Sequence, residues 1–423
     1  MAILSVGGCG ELRRRGMKAL TFKYDIPRYL VTGMLDRRWP RVLFSPIAPV
    51  QLREVPEPRL LGDEWVKIRP RISGLCGSDM GIILCHESLT MQPFASYPFV
   101  LGHEVCGEIA EKGAAVEGFE PGDRVTVMPM LACPARGIEP PCRACASGRQ
   151  QLCENWTEGR LEPGTIVGAT AGVPGYISEM GMAHVSQLHK VPDGVSDEAA
   201  CMSDPLSNGL HMAIQNPIEP GETLLVFGCG VMGLCTIAAL RALHPQARLL
   251  AVEGSAHHAQ VARDMGVEVV LSPPLNKKFY RRLADLTGAT VFTPLLAKPI
   301  LSGGGVDRVF DTVGKTETIE AGLRVLRGGG WFNLLGIGEP KKIDWTPVWF
   351  RELTIRGVFG YQTEEYEGAL EHDFDLALRL HAEGRLDVAP LVTHKFALDD
   401  WKQGLDVALN KGEHKAIKVT FHP

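Results

Sequence analysis

No stretch of this sequence is apolar for long enough to occupy a bilayer. Hydrophobic residues make up 45% of the 423, yet no run approaches the roughly 18–20 consecutive residues that spanning requires. A one-sided charge is also missing: 44 lysines and arginines face 49 acidic residues, a net charge of −5. That balance argues against nucleic acid and acidic membranes as partners. Internal repeats and low-complexity tracts are absent, and the 22% of charged residues is ordinary for a folded chain. There is no export signal either. Between Met1 and Gly16 the short apolar run precedes Arg13-Arg14-Arg15, the reverse of the secretory order. Residues 1–16 therefore read as a flexible extension, and the cytoplasm is the expected location. In that setting eleven cysteines are not a disulfide framework; they are metal ligands or buried thiols.

The length is too great for one hydrophobic core and implies two domains. From Met17 to about residue 130 the chain reads as short strands between Gly/Pro-rich turns, such as Trp65–Arg69, Gly107–Glu111 and Asp123–Val127, with no long helical period. Residues 133–153 form a cysteine-bearing lobe, 154–175 a loop, and 176–191 return to strand-like sequence. After Asp197 the pattern changes. Residues 199–214, 256–265 and 317–326 read as helices, and 249–252, 267–270, 306–310 and 331–335 as strands. Such alternation predicts a parallel sheet covered by helices on both faces. Ser272–Gly305, with Pro273-Pro274 and the Pro-containing run 292–299, reads in part as a surface insertion. From about Phe359 two helices precede the strand-like 416–421, which is expected to return to the first domain.

Leu224-Leu225-Val226-Phe227 runs directly into Gly228-Cys229-Gly230-Val231-Met232-Gly233 and then into helix-like sequence. The first glycine permits the tight turn, the second lets backbone approach a pyrophosphate, and the third packs helix on strand. The helix N-terminus offers free N–H groups to the phosphates. Glu253 lies twenty residues beyond Gly233 at the end of the next strand, where a carboxylate can accept from both adenosine ribose hydroxyls. It would repel a 2′-phosphate, so NAD is expected over NADP, although His257 and His258 could meet a phosphate if protonated. A bare packing turn is the competing reading. Cys142, Cys145 and Cys153, with Cys133 upstream, suit a closed tetrahedral zinc site of structural type. Cys76, His103, Glu104 and Asp204 offer a thiolate, an imidazole and two carboxylates, a shell for zinc with one position open to water or substrate. Each alone reads more readily as a buried thiol or a hydrogen-bonded side chain.

These segments together resemble the zinc-containing medium-chain alcohol dehydrogenases, in the style of polyol, sugar and threonine dehydrogenases. The resemblance runs from Met17 to the C-terminus. It rests on Gly74–Asp79, on Leu101–Glu104 continuing to Pro121–Val125, on the four-cysteine lobe, on Asp204–Ser207, on the glycine fingerprint, and on Phe310–Gly314. It implies an α/β fold: a GroES-like β-rich catalytic domain over 17–205, a Rossmann doubly wound parallel-sheet domain over 206–358, and a return of 359–423 to the catalytic domain. By the same resemblance Cys76, His103 and Asp204 are catalytic zinc ligands, Glu104 binds the metal or exchanges with its water, and Ser78 takes the substrate proton. Asp79 would orient His103, and Gly228, Gly230, Val231, Met232, Gly233 and Glu253 would hold NAD. Two departures stand out: eight residues separate Cys133 from Cys142 where two are usual, and Gly81 stands where many members carry a proton-passing histidine. His86 reads as an exposed surface residue. The expected activity is hydride transfer between NAD and a secondary, polyol or sugar-like alcohol, with two zincs per chain, in a homodimer or tetramer. The competing class is a non-catalytic nucleotide-binding or redox-sensing protein of the same fold. Phe94, Tyr97 and Trp156 are candidate pocket walls that could equally be core.

Overall fold

The computed structural model describes residues 16–36, 38–338 and 340–423. Residues 1–15, nearly all of the expected extension, lie outside them, and Gly16 already belongs to the strand Gly16–Phe22. Six parallel strands form one sheet. Their spatial order is Val269–Leu271, Arg248–Val252, Thr223–Phe227, Val306–Asp311, Leu326–Leu334 and Thr354–Gly357. In chain order this is 3-2-1-4-5-6, and the direction of winding reverses between Thr223–Phe227 and Val306–Asp311, the crevice where dinucleotides bind.

The alternation of side chains explains why Thr223–Phe227 and Arg248–Val252, inside the sheet, are apolar after their first residue. Leu224 and Val226 enter one core with Leu249, Ala251 and Phe310. Leu225 and Phe227 enter the other with Leu250, Val252 and Val309. A parallel strand covered on both faces must be apolar at every position, and each such side chain contributes roughly 1.5–3 kcal/mol by leaving water.

The other half is antiparallel at its centre. Trp65–Gly74 pairs with Glu104–Lys112, which pairs with Arg124–Val127 and then Leu188–Lys190. The C-terminal strand Lys418–His422 adds to the far edge of Trp65–Gly74, with Thr420 opposite Gly74 and Phe421 opposite Ser73. The chain's last strand thus lies beside the strand that leads into Cys76.

Helices depart from the sequence reading at several places, the short Gly77–Ile83 among them. Ile26–Leu35 is helical inside the segment read as strands and turns, started by Asp25, whose carboxylate accepts from Arg28 N, and by Pro27 in the first turn. Lys277–Thr287 is helical inside the stretch read in part as an insertion. Asn276 caps it, Phe279, Tyr280, Leu283 and Ala284 form its buried stripe, and Gly288 ends it with φ of 66°. Between Pro-containing flanks, its buried positions follow the 3.6-residue helical period. The surface feature that remains is the hairpin Thr290–Phe292 and Ile300–Ser302. Residues 199–214 form two helices, Asp197–Cys201 and Ser203–Ile214, broken at Met202. Among the described residues no helix is long and apolar enough to cross a membrane.

Candidate functional site

Strand register assembles the site. Gly74 stands opposite Glu104 in the ladder between Trp65–Gly74 and Glu104–Lys112. Two residues beyond Gly74 comes Cys76, and one residue before Glu104 comes His103. The Cys76 sulfur, a His103 ring nitrogen and a Glu104 oxygen consequently all lie within 4.8 Å of one another. Cys76 precedes the helix Gly77–Ile83, and the Asp79 carboxylate folds back to accept from Cys76 N at 2.9 Å. Its other oxygen is 3.4 Å from His103 Nδ1, leaving Nε2 to face the cluster, 3.5 Å from Ser78 Oγ. One buried aspartate therefore holds both the backbone of Cys76 and the ring of His103.

Asp204 faces this cluster but stands outside the 4.8 Å set. Tyr361 Oη donates to its Oδ2 at 2.7 Å. Burial pushes the Asp204 carboxyl up to about 6, and the Tyr361 hydroxyl works against that rise. Glu104 is engaged by Lys418, whose ammonium pairs with its Oε2; both side chains are nearly sealed, at 2% and 1% exposure. Burial opposes the charge on Lys418, but Glu104 and Cys76 outweigh it and hold the ammonium above its ordinary range. Space around the pair is tight: a Cβ on Gly74 would come within 2.0 Å of Glu104 Oε2 and 2.8 Å of Lys418 Cε. Neither Lys418 nor Tyr361 was recognised in the sequence. Lys418 did leave a signal, a lone charge within the strand-like run 416–421; Tyr361 left none.

The helix Ser203–Ile214 carries a second unrecognised feature. Asp204, Asn208, His211 and, at its C-terminal cap, Gln215 recur at intervals of four, three and four, so they share one face. All four meet the segment 360–364. Gly360 N donates to Asn208 Oδ1 at 3.1 Å, Tyr361 to Asp204, and Glu364 takes His211 Nδ1 on one oxygen and Gln215 Nε2 on the other.

Cys133, Cys142, Cys145 and Cys153 converge within 4.8 Å. The eight residues Pro134–Pro141 loop out, and Cys142 N donates to Cys133 Sγ at 3.3 Å. Arg136, fully buried, ties the loop down through the carbonyls of Leu131, Glu158 and Glu162. Hydrogen bonding from Cys145, against the pull of burial, takes the Cys153 thiol down to about 5, aided by Asn155 N. Cys142 is lowered as well: burial would raise it, but the N–H groups of Cys145 and Glu154 prevail. Four convergent sulfurs fit a tetrahedral zinc and leave no open position.

At the nucleotide crevice Gly228 has φ of 85°, and a Cβ on Gly233 would lie 1.8 Å from the Gly228 carbonyl oxygen. Only glycine allows the helix to start that close to the strand. Glu253 accepts from Cys229 N at 2.6 Å and Ser255 N at 2.7 Å, at the rim of a cavity of about 480 Å³ floored by Phe227, Gly228, Val252 and Val313. Asp311, raised by burial, accepts from Val313 N and Gly314 N and so shapes the opposite wall. His258 is buried with Nε2 3.1 Å from the Ala416 carbonyl. His86, exposed, faces Asp36 at 3.1 Å. Among the aromatic candidates, Tyr97 stacks on Tyr24 and Trp156 packs against both the cysteine lobe and the Tyr361–Phe374 cluster. Phe94 remains partly exposed.

Two family models match the chain: the alcohol dehydrogenase GroES-like domain over residues 62–193, and the zinc-binding dehydrogenase over residues 231–373. An L-idonate 5-dehydrogenase of Vitis vinifera is 30% identical over 369 residues, covering 86% of this chain and 89% of that protein. An L-threonine 3-dehydrogenase of Pectobacterium carotovorum subsp. carotovorum is 29% identical over 365 residues, covering 85% and 93%. The crystal structure of 2R,3R-butanediol dehydrogenase from Bacillus subtilis superposes with a TM-score of 0.72 at 24% identity, over 96% of this chain and 99% of that one.

Proposed function

Since this chain belongs to the zinc-containing medium-chain alcohol dehydrogenases, we propose that it moves hydride between NAD and a secondary, polyol or sugar-like alcohol. The observation that carries the proposal is the convergence of Cys76, His103 and Glu104, with Asp204 facing them and Ser78 beside them. The donor set fits a dication. Cys76, His103, Glu104 and Asp204 bring sulfur, nitrogen and carboxylate oxygen together in a buried space, the donor types zinc accepts. Zinc bound there would supply Lewis acidity, bringing the pKa of a substrate hydroxyl toward neutrality. Cys76, His103 and Asp204 would hold it, and Glu104, already paired with Lys418, is suited to exchange rather than to permanent ligation. Ser78 Oγ would accept a hydrogen bond from the substrate hydroxyl and relay its proton, releasing its own O–H proton to solvent as it takes the substrate's, while Asp79 keeps His103 from turning. The Gly228–Gly233 backbone, with Val231 and Met232 opening the helix, seats the pyrophosphate, and the free lone pairs of Glu253 take the ribose hydroxyls. That carboxylate disfavours a 2′-phosphate, and the burial of His258 removes one of the two histidines that could have met one. The four lobe cysteines would hold a second, structural zinc, a use of thiols that supports a cytoplasmic setting.

The partner copy, we propose, joins at the outer edge of Thr354–Gly357, the last strand of the six-stranded sheet. Trp349 and Phe350 stand beside it at 70% and 69% exposure. Trp349→Asp should convert a dimer to monomer in light scattering; an unchanged mass would remove this edge from the interface.

The test of function is NAD and NADP reduction against a panel including 2,3-butanediol, L-threonine and L-idonate, with zinc counted per chain. Turnover with NAD on at least one secondary alcohol, abolished in Cys76→Ala along with one zinc, is the expected result. No reduction of either cofactor by any alcohol would refute the assignment. Two zincs with Cys142→Ser losing one, and thermal stability with it, would identify the lobe as structural.

A further inference from the structure

We propose that His211, Glu364 and Asp373 form a buried binding site for a divalent transition-metal ion, separate from the catalytic cluster and from the cysteine lobe. One ligand atom of each lies within 4.8 Å of those of the other two. His211 comes from the helix Ser203–Ile214, Glu364 from the hairpin strand Thr363–Tyr366, and Asp373 from the first turn of the helix Asp373–Ala382. Their exposures are 5%, 4% and 0%.

Charge makes the arrangement unusual. Two carboxylates share an enclosed space, and among the described residues no lysine or arginine pairs with either; their common ion-pairing partner is His211 Nδ1, bonded to Glu364 and 3.9 Å from Asp373 Oδ2. Arg356 comes near, but it spends its guanidinium on the backbone carbonyl and side-chain oxygen of Gln215. Asp373 Oδ2 accepts from Gln362 N at 2.8 Å, whereas its Oδ1, fully buried, has no hydrogen-bond partner. Leaving a buried carboxylate uncompensated costs several kcal/mol. A dication placed among the three would balance both carboxylates at once, with His211 Nδ1 as its nitrogen ligand. One nitrogen and two carboxylate oxygens form a set that Zn²⁺ or Mn²⁺ accepts, with bonds of roughly 2.0–2.2 Å for zinc. Ca²⁺, which takes about six to eight oxygens, is poorly served.

The surroundings are those of an outer shell. Gln215 Nε2 donates to the second oxygen of Glu364 and is itself fixed by Arg356, the kind of support that orients a metal-bound carboxylate. The site would act as a clamp. It lies two turns along the same helix face from Asp204, about 10 Å by helical rise, and Glu364 is three residues from Tyr361, which holds Asp204. An ion here would pin the segment 360–373 to the helix that presents Asp204 to the catalytic cluster.

The test uses the full chain, equilibrated with ZnCl₂ or with MnCl₂, freed of loose metal by dialysis, and analysed for metal per chain by mass spectrometry. Wild type should hold one equivalent more than Glu364→Gln and one more than Asp373→Asn, whatever the other sites contribute. The ion retained in the two equilibrations identifies the metal. Equal content in all three proteins overturns the proposal. Crystals of wild type, measured at the absorption edge of the retained metal, decide the matter even if a variant fails to fold. An anomalous peak bounded by His211 Nδ1 and the two carboxylates is expected, and a map with no peak there overturns it. Because the readout is a difference at this site, failure of the alcohol dehydrogenase assignment would leave it intact.

Discussion

Removing the ammonium of Lys418 should be among the most damaging single changes available outside the metal ligands. Lys418→Met keeps the length and apolar stem of the side chain while deleting its charge. The consequence falls on Glu104, whose Oε2 has no hydrogen-bond partner apart from its pairing with Lys418 Nζ. Both side chains are almost fully sealed, and they pack so closely on Gly74 that a Cβ there would collide with the carboxylate. Breaking a buried pair by deleting one partner costs about 3–5 kcal/mol, whereas replacing both partners with groups of similar shape can be nearly neutral. At roughly 2–4 °C per kcal/mol for domains of this size, Lys418→Met should lower the melting temperature by about 6–20 °C. The double variant Lys418→Met/Glu104→Gln should recover at least half of that loss. Calorimetry on the wild type, the two single variants and the double variant gives the coupling energy directly. Repeating it with and without added zinc adds a second discrimination, because a dication near Glu104 offers the carboxylate another partner and should shrink the Lys418→Met deficit. A deficit below about 1 kcal/mol in the chelated protein, or a double variant no better than the singles, would refute the claim that this pair is buried and mutually dependent.

Glu87 supplies a pH dependence of unusual sign. Burial among Tyr24, Tyr29 and Tyr97, with the charge of Asp79 nearby, raises its carboxyl to about 7. The folded chain therefore keeps a proton that the unfolded chain gives up from about pH 4.5 upward, so stability falls as pH rises through the window between about 4.5 and 7. The full difference amounts to about 3 kcal/mol, and its partly open side reduces this to about 1–2 kcal/mol. Glu87→Gln should gain that amount on wild type in denaturant titrations at about pH 8 while matching it near pH 4.5; a gain independent of pH would show that Glu87 is solvated. At the nucleotide crevice Gly233→Ala should abolish NAD binding measured by calorimetry, because its Cβ would sit 1.8 Å from a backbone oxygen. Retained binding within about twofold, less than 1 kcal/mol, would mean that the turn tolerates what its geometry forbids.

What could be read from the sequence, and what could not, divides along a physical line. The glycine fingerprint, the cysteine lobe and the alternation of strand and helix are imposed by backbone geometry over short separations, so their spacing survives in one dimension. Charge pairs formed by the folded chain have no such spacing. Lys418 and Glu104 are 314 residues apart and are joined only because the last strand returns to the edge of Trp65–Gly74. Asp204 was legible as a candidate ligand from its Asp-Pro context. Asn208, His211 and Gln215, on the same helix face, drew no reading, because their partners come from the segment 360–373 and carry no motif. That difference bears on specificity. Cys76 and His103 are placed by strand register, which a hydrogen-bonded ladder fixes firmly, whereas Asp204 is placed by side-chain contacts with Tyr361 and, along its helix, with Glu364. Substitutions in 360–373 can therefore shift one wall of the site without disturbing the ladder that holds the thiolate and imidazole. On this argument the chemistry of the reaction is encoded in the motifs, and the choice of alcohol in the contacts between that segment and the Ser203–Ile214 helix, where a single sequence gives no pattern to read.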